Sequence, residues 1–399
     1  MRRAALFLDG KRMIIRPLPK VAGLPPYGRT IVRTSLDAWV LDAARRAGAT
    51  VVEGAKVTGF TRSAGRVDVT YERGSASRTL RTSVLVGADG SSSTVARAVR
   101  GGAAPPKQDR ILAVRAYAEG VSGPADRADL FFSSASFPGY YWLFPTGDGV
   151  ANVGLGMLLD TTPPSNQHLR VLLEDLLRTD AGLAARMQRA TPVGRIAGWP
   201  LSTYSPHQAL VDDRLVLVGD AAGLVNPLNG EGIQYALQSG RWAAEAIVAA
   251  LADGPPTAAR LARYQRTVEK ELRFDMALAG TVVQLIRNRA LTPVWLEALR
   301  VIVARAKRDP EYAELVGGIL AGLLPASSAL RPAAAEATLD QVLLDAAAGA
   351  GHAEVVDDVL RRMLRDATAD PVRVAQWGLG LAAQLAELGT QMVRSLSRP

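Results

Sequence analysis

Leu215-Val216-Leu217-Val218-Gly219-Asp220-Ala221-Ala222-Gly223-Leu224-Val225-Asn226-Pro227-Leu228-Asn229-Gly230-Glu231-Gly232-Ile233 is the stretch from which the fold is read. Four apolar residues, Leu215 to Val218, run into a glycine, the pattern of a short buried strand. That strand delivers Asp220 at its carboxyl end, where open α/β sheets bind ligands. A carboxylate there accepts hydrogen bonds from sugar or polyol hydroxyls. The segment Asn229 to Ile233 opens a helix predicted from Gly232 to about Leu251, and the amides at a helix start suit an electron-rich ring edge.

Working outward, Ser83 to Gly87 is a second short apolar strand, and it turns at Ala88-Asp89-Gly90 into Ser91-Ser92-Ser93-Thr94. Glycine allows close backbone approach, so this turn reads either as a phosphate or ribose contact or as a capped strand-to-helix turn. Upstream, Leu36 to Gly48 carries apolar residues at helical spacing with glycine at the C-terminal end, followed by β-like Thr50-Val51-Val52 and an alternating strand at Arg66 to Tyr71. Between the two apolar strands the periodicity changes to two: Ile111–Tyr117, Asp129–Ser133, Tyr140–Phe144 and Val150–Gly156 predict an inserted antiparallel sheet. From Thr257 onward the chain reads as helices broken at Pro293, Pro310, Pro325, Pro332 and Pro371, with Asp370 a candidate N-cap. The expected organisation is a partial α/β domain (1–105), an antiparallel sheet domain forming the substrate wall (106–205), the α/β domain resumed (206–255), a helical region (256–330) and a helical appendage (331–399). In the appendage Val355, Val356, Val359, Leu360, Met363 and Leu364 fall on one helical face.

The 399 residues suffice for two or three domains with sizeable cores. With 48 % hydrophobic and 21 % charged residues, disorder is excluded as the main state. The net charge of +9 is carried almost wholly by arginine, since only six lysines occur. The arginines are scattered rather than clustered, and no nucleic-acid-binding pattern accompanies them. The absence of cysteine rules out a disulfide framework, a thiolate nucleophile and a cysteine metal site. No metal site is expected. Asp9, Lys11 and Arg12 interrupt the apolar start, so no export signal is expected. Val374 to Val393 contains Glu387 and three glutamines, which points to an amphipathic surface or partner helix rather than a span. The charge-free stretch Leu315 to Leu330 is a candidate membrane contact or lid. His168, His207 and His352 lie outside every motif and read as surface residues.

One further pattern narrows the function: Tyr140-Tyr141-Trp142-Leu143-Phe144-Pro145, then eight residues, then Gly154-Leu155-Gly156. Alternate aromatics on one strand face make a flat apolar wall with two polar handles, suited to an unfunctionalised hydrocarbon chain. Taken alone, such a stripe is also how an ordinary core strand looks. The segments around Asp89 and Asp220, in this order, resemble the second and third flavin fingerprints of FAD-dependent oxidoreductases with the aromatic-hydroxylase-type fold. The aromatic and glycine segments resemble the Tyr-x-Trp-x-Phe-Pro and Gly-x-Gly pattern of the geranylgeranyl reductase family, whose members saturate isoprenoid double bonds. Val32-Arg33-Thr34-Ser35-Leu36-Asp37 is similar to that group's Arg-x-x-Leu-Asp segment. The likeness extends over roughly Gly28 to Leu330.

The resemblance implies a mixed α/β protein, with an FAD-binding Rossmann-like domain interrupted by an antiparallel substrate sheet. It places Arg33, Val57, Asp89, Gly90, Gly219, Asp220, Asn229, Gly230, Gly232 and Ile233 at FAD. It places Tyr140, Trp142, Phe144, Pro145, Gly154 and Gly156 along the isoprenoid. It names no catalytic residue; Tyr140, Tyr141 and a flavin-bound water are the candidate proton donors. NAD(P)H or ferredoxin is the implied electron donor, an isoprenoid lipid (geranylgeranyl, polyprenyl or a menaquinone side chain) the substrate, and the cytoplasm, peripheral to the inner membrane face, the location. The sequence departs from the family in holding neither a Gly-x-Gly-x-x-Gly turn nor the family's cysteine-containing flavin loop, so the FAD-binding domain reads as incomplete. A late start codon, a split partner and a remnant are the three explanations, and the chain as written is expected to bind FAD weakly or not at all. The alternatives are a flavin-dependent monooxygenase or halogenase, because Tyr140-x-Trp142-x-Phe144-Pro145 also resembles the halogenases' Trp-x-Trp-x-Ile-Pro, and a non-catalytic lipid-binding protein.

Overall fold

The structure is a computed structural model, and it describes residues 1–134, 136–147, 149–161, 169–206, 208–347, 361–362, 365 and 368–396. The chain opens on a hairpin of β1 (Arg3–Leu8) and β2 (Lys11–Pro17), turning at Asp9-Gly10 with positive φ at both residues, 47° and 74°. That is the two-residue turn whose twist matches paired strands, and Asp-Gly is its sequence signal. Helix α1 (Arg33–Arg46) follows, then a meander of β3 (Ala55–Arg62), β4 (Val67–Arg73) and β5 (Ala76–Thr82). β6 (Leu85–Gly87) leads into the short helix α2 (Thr94–Val99).

β7 (Arg110–Glu119), β8 (Arg127–Phe132), β9 (Tyr140–Gly147) and β10 (Val150–Leu158) come next, followed by α3 (Leu169–Thr179), α4 (Ala181–Met187) and β11 (Thr191–Ser202). These strands and the opening hairpin form one seven-stranded sheet in the order β11-β7-β10-β9-β8-β1-β2. The hairpin joins it through a parallel pairing of β1 with β8. Residues 1–17 therefore belong to the large sheet and not to the α/β portion in which the sequence placed them. The reason is burial: Ala5, Phe7 and Leu8 pack in the sheet's own cores, with Phe7 stacked on Phe131.

The chain returns to the α/β layer with β12 (Val211–Asp212) and β13 (Leu215–Leu217), which lies parallel to β6. Long helices α5 (Ile233–Ala252) and α6 (Ala258–Ile286) cover this layer. Tyr264 of α6 donates to the Leu217 carbonyl at 2.7 Å, fixing helix to strand. Gly87 is required here, because a Cβ would stand 2.7 Å from the Val95 side chain. Then follow α7 (Thr292–Arg308), α8 (Pro310–Leu320), α9 (Pro332–Ala347) and α10 (Pro371–Leu396). Pro293, Pro310, Pro332 and Pro371 all sit in the first turn of these helices, where a missing N–H costs nothing, and Pro325 precedes a 3₁₀ turn.

Among the described residues the two largest cores lie between the α/β layer and α5 and α6, and between the large sheet and α3 and α4. Thr50 to Val52, expected as a strand, is irregular, and the strand begins after the turn at Gly54, whose φ is 66°. The apolar face from Val355 to Leu364 and all three histidines lie outside the described residues. Among the described residues no helix is long and apolar enough to cross a membrane.

Candidate functional site

The aromatic and glycine segments are neighbours in space. β9 and β10 pair so that Trp142 lies opposite Gly154 and Tyr140 opposite Gly156. A Cβ on Gly154 would meet Trp142 Cζ2 at 2.2 Å, so the indole lies flat over the glycine. Its Nε1 donates to Asn152 Oδ1 at 2.7 Å, which fixes the ring in its plane. Tyr140, Trp142 and Phe144 form a continuous row, with ring centroids 5.9 and 6.2 Å apart. By strand alternation Tyr141, Leu143 and Pro145 are buried on the opposite face. Pro145 thus does not share the surface on which the sequence placed it, and Tyr141, hydrogen-bonded to Asp180, points away from it as well.

Across from this wall stands the loop that leads into α5. Asn226 Oδ1 accepts from Leu228 N, Asn226 N donates to the Glu231 carbonyl, and Asn229 Oδ1 accepts from Glu231 N. These bonds hold the loop in one shape, with Gly230 at φ 73°. Tyr140 Oη donates to the Asn229 carbonyl at 2.7 Å, joining wall to loop. Between them is an apolar cleft of about 90 Å³, lined by Tyr140, Trp142 and Gly156 on one side, Leu228 to Gly230 on another, and Val283 and Ile286 of α6. Burial, reinforced by Glu231, pushes the Tyr140 phenol up, so it keeps its proton.

The residues expected at FAD divide into three groups. The first is the α5 entrance. Gly232 has no side-chain cap on it, so the first amides of a 20-residue helix are open beside the half-exposed Ile233. A Cβ at Gly232 would stand 3.2 Å from Asp220 Oδ1, so the glycine leaves a bare cradle against the carboxylate. Gly219, at φ 56°, lets the chain turn from the strand to Asp220, and its N–H donates to Ser239 Oγ. Asp220 is pushed up by burial and pulled down by Arg33, which is paired with Asp37 at 2.9 Å. Open amides, a bare glycine, and a carboxylate with a neighbouring guanidinium fit a heteroaromatic ring edge and a ribityl or ribose hydroxyl, and thereby fit FAD.

The second group is the turn at Asp89 and Gly90. Asp89 Oδ2 accepts from Thr94 N at 2.8 Å and from Thr94 Oγ1, and Ser93 caps α2, so this turn is a capped strand-to-helix turn. The third is Val57, which lies on β3 at a register shift and is 48 % exposed.

Sequence reasoning missed Glu231. Its carboxyl accepts from Gln234 Nε2 at 2.8 Å and is pushed up by burial. Gly322 presses on it so closely that a Cβ would stand 1.7 Å from Oε2, so this part of the Leu315–Leu330 stretch covers the site loop. The only signal in the sequence is its place between two glycines. Among the described residues no group of three or more His, Asp or Glu is placed to hold a metal ion.

Residues 23–271 match the FAD binding domain family. The chain is 32 % identical over 280 residues to digeranylgeranylglycerophospholipid reductase 2 of Methanopyrus kandleri, across 68 % of this chain and 69 % of that one. It is 35 % identical over 239 residues to menaquinone reductase of Mycolicibacterium smegmatis, across 55 % of this chain and 54 % of that one. The fold is similar to that of a geranylgeranyl bacteriochlorophyll reductase-like protein of Thermoplasma acidophilum, with TM-score 0.65 and 20 % identity over 80 % of this chain and 79 % of that one.

Proposed function

The chain belongs to the FAD binding domain family, among its geranylgeranyl-reductase-type oxidoreductases, and on that premise we propose that it saturates carbon–carbon double bonds in the isoprenoid chain of a lipid. The observation that carries the reading is the indole of Trp142 laid flat on Gly154, facing a cleft whose other wall is the loop into α5. An unactivated alkene offers no polar atom to grip, so shape and water exclusion must place it. Tyr140, Trp142 and the α6 residues Val283 and Ile286 supply that apolar surface.

Bound FAD, when reduced, supplies the hydride that adds to one alkene carbon. The amides of Gly232 and Ile233 would hold its ring edge, and Asp220 would accept from a hydroxyl of its polyol or ribose. The other alkene carbon needs a proton. We assign it to Tyr140, which lines the cleft: its O–H bond would break as the proton passes to carbon, leaving a phenolate that solvent reprotonates once product leaves, while Tyr141 lies on the far face. That proton is the one donated to the Asn229 carbonyl, so the hydroxyl must rotate out of this bond to deliver it.

The test is product mass. The protein is loaded with FAD, reduced with dithionite and incubated without oxygen with a prenylated lipid. A gain of two hydrogens per double bond is expected. Gain of oxygen or halogen, in air with halide present, would instead identify a monooxygenase or halogenase on the same scaffold. Absorbance of the purified protein mixed with FAD separately reports whether flavin is held.

A further inference from the structure

The cleft continues across the large sheet beyond Trp142. Ile111 and Ala113 of β7, Gly156 of β10 and Leu201 of β11 line it. By strand alternation Arg115 and Tyr117 of β7, Gly154 of β10 and Trp199 of β11 share that face, while Ile196 packs into the core on the opposite one. The register orders them. Tyr140, Gly156, Ala113 and Trp199 stand side by side in one row across four strands, and Trp142, Gly154, Arg115 and Ala197 in the next. Trp199 is 60 % exposed, yet its ring is fixed, because Nε1 donates to Ser91 Oγ at 2.9 Å. A floor of small residues thus runs between two aromatic rims, whose backbones lie three strand spacings, about 14 Å, apart. That trough has the width of one branched hydrocarbon chain lying between side chains.

One row further along the strands its character changes. The half-buried Arg115 guanidinium lies 5.0 Å from the Tyr117 ring centroid and makes no ion pair among the described residues. Asn152, opposite Tyr117 in the register, accepts from Trp142 Nε1 through its Oδ1, so its NH₂ is the part left to donate. Arg33, which is electrostatically joined to Tyr117, is already paired with Asp37. The one carboxylate on this face of β7, Glu119, is exposed at the strand's end. The trough therefore ends on donors without a built-in acceptor. A guanidinium in such a place is suited to a bidentate anion, and a phosphate has oxygens enough for Arg115 and Asn152 together.

We infer that Arg115 holds a phosphate of the lipid whose isoprenoid chain lies in the trough between Tyr140 and Trp199, an inference that rests on the isoprenoid reading above. Arg115 is then a specificity residue, favouring a phosphorylated prenyl lipid over a neutral one with the same chain.

The test is a calorimetric titration of the full-length protein, without need of turnover, with geranylgeranyl monophosphate, geranylgeraniol and inorganic phosphate. The wild type should bind the prenyl phosphate about tenfold more tightly than the alcohol. Arg115→Met keeps an apolar stem against Tyr117 and should erase that preference while leaving the alcohol within about twofold; Arg115→Lys should keep part of it. Trp199→Ala should weaken both lipids alike. Equal binding of alcohol and phosphate by the wild type overturns the inference, as does a preference that survives in Arg115→Met; if Trp142→Ala still weakens both lipids, the isoprenoid reading stands. Inorganic phosphate binding as tightly as the prenyl phosphate would make Arg115 an anion site unconnected with the trough, and unchanged lipid affinities in Trp199→Ala would remove the trough itself. Loss of FAD binding in Arg115→Met, followed by absorbance, with lipid affinities unchanged would give the guanidinium to the flavin instead. If neither lipid binds the wild type, this inference and the isoprenoid reading fall together.

Discussion

At the scale of single residues the site rests on close approaches that tolerate no added atom. Gly154→Ala would drive a methyl into the Trp142 ring and toward the Val114 carbonyl, 2.6 Å away. Overpacking of this kind costs about 1–3 kcal/mol, and lipid affinity should fall with it; denaturant unfolding and lipid titration measure the two effects. Tyr140→Phe removes the bond to Asn229 at a cost of about 0.5–1.5 kcal/mol, so a modest stability loss beside a large loss of turnover would support its protonating role. Asp109 offers a test by pH. Burial pushes its carboxyl from 3.8 up to about 6, against the pull of Arg287. The folded state therefore holds this proton more tightly than the unfolded one, and stability falls as pH rises from about 4 to 6. Asp109→Asn should stabilise the protein by up to about 2–3 kcal/mol near pH 7 and by nothing near pH 4, as thermal melts across that range would show. Trp142 and Gly154 were legible in the sequence because strand periodicity and spacing are local. Asp109 and Glu231 were not, because their burial is made by elements far away in the chain.

At the scale of elements the contrast lies between helices that pack and one that does not. α5 and α6 bury an apolar stripe on the α/β layer, and the extent of α5 follows the sequence closely. α1 buries no residue, has no side-chain N-cap, and leaves Trp39 58 % exposed. A helix of 14 residues is marginal without packing, and its exposed ion pairs, Arg33 with Asp37 and Arg45 with Asp42, add little. Amide exchange in residues 33–46 should therefore run orders of magnitude faster than in the buried turns of α6 around Val268. Because Arg33 is electrostatically joined to Asp220, FAD should slow exchange in the first turn of α1. Exchange followed by mass spectrometry, with and without FAD, decides this, and an unchanged first turn would remove Arg33 from the site. The opening hairpin shows how an element is overlooked. Asp9-Gly10 between two apolar runs is a strong local signal, but its partner strand, β8, lies more than a hundred residues away, and no pattern within the hairpin points to that pairing.

For the whole molecule the decisive feature is that two cores meet at the cleft. α6 spans both: its 29 residues extend about 44 Å, with Leu261 to Met276 in the α/β core and Val283 against Ile111 and Leu158 of the large sheet. The Tyr140–Asn229 bond ties the same two bodies at the cleft itself. Leu217→Ala and Leu143→Ala each empty a fully buried site, one in each core, at about 2–5 kcal/mol. Without ligand, calorimetry should show two overlapping transitions, each substitution lowering its own. On the reading proposed above FAD would bind where the α/β loops face the sheet, and its binding free energy would then be available only when the loops and the wall are both formed. At a hundredfold excess over its Kd this amounts to about 2.7 kcal/mol, enough to raise the weaker transition toward the stronger and merge them. One transition lowered equally by both substitutions would mean that α6 already makes the cores a single cooperative unit. The cleft would then be a rigid slot, and selection of the lipid would rest on its fixed shape.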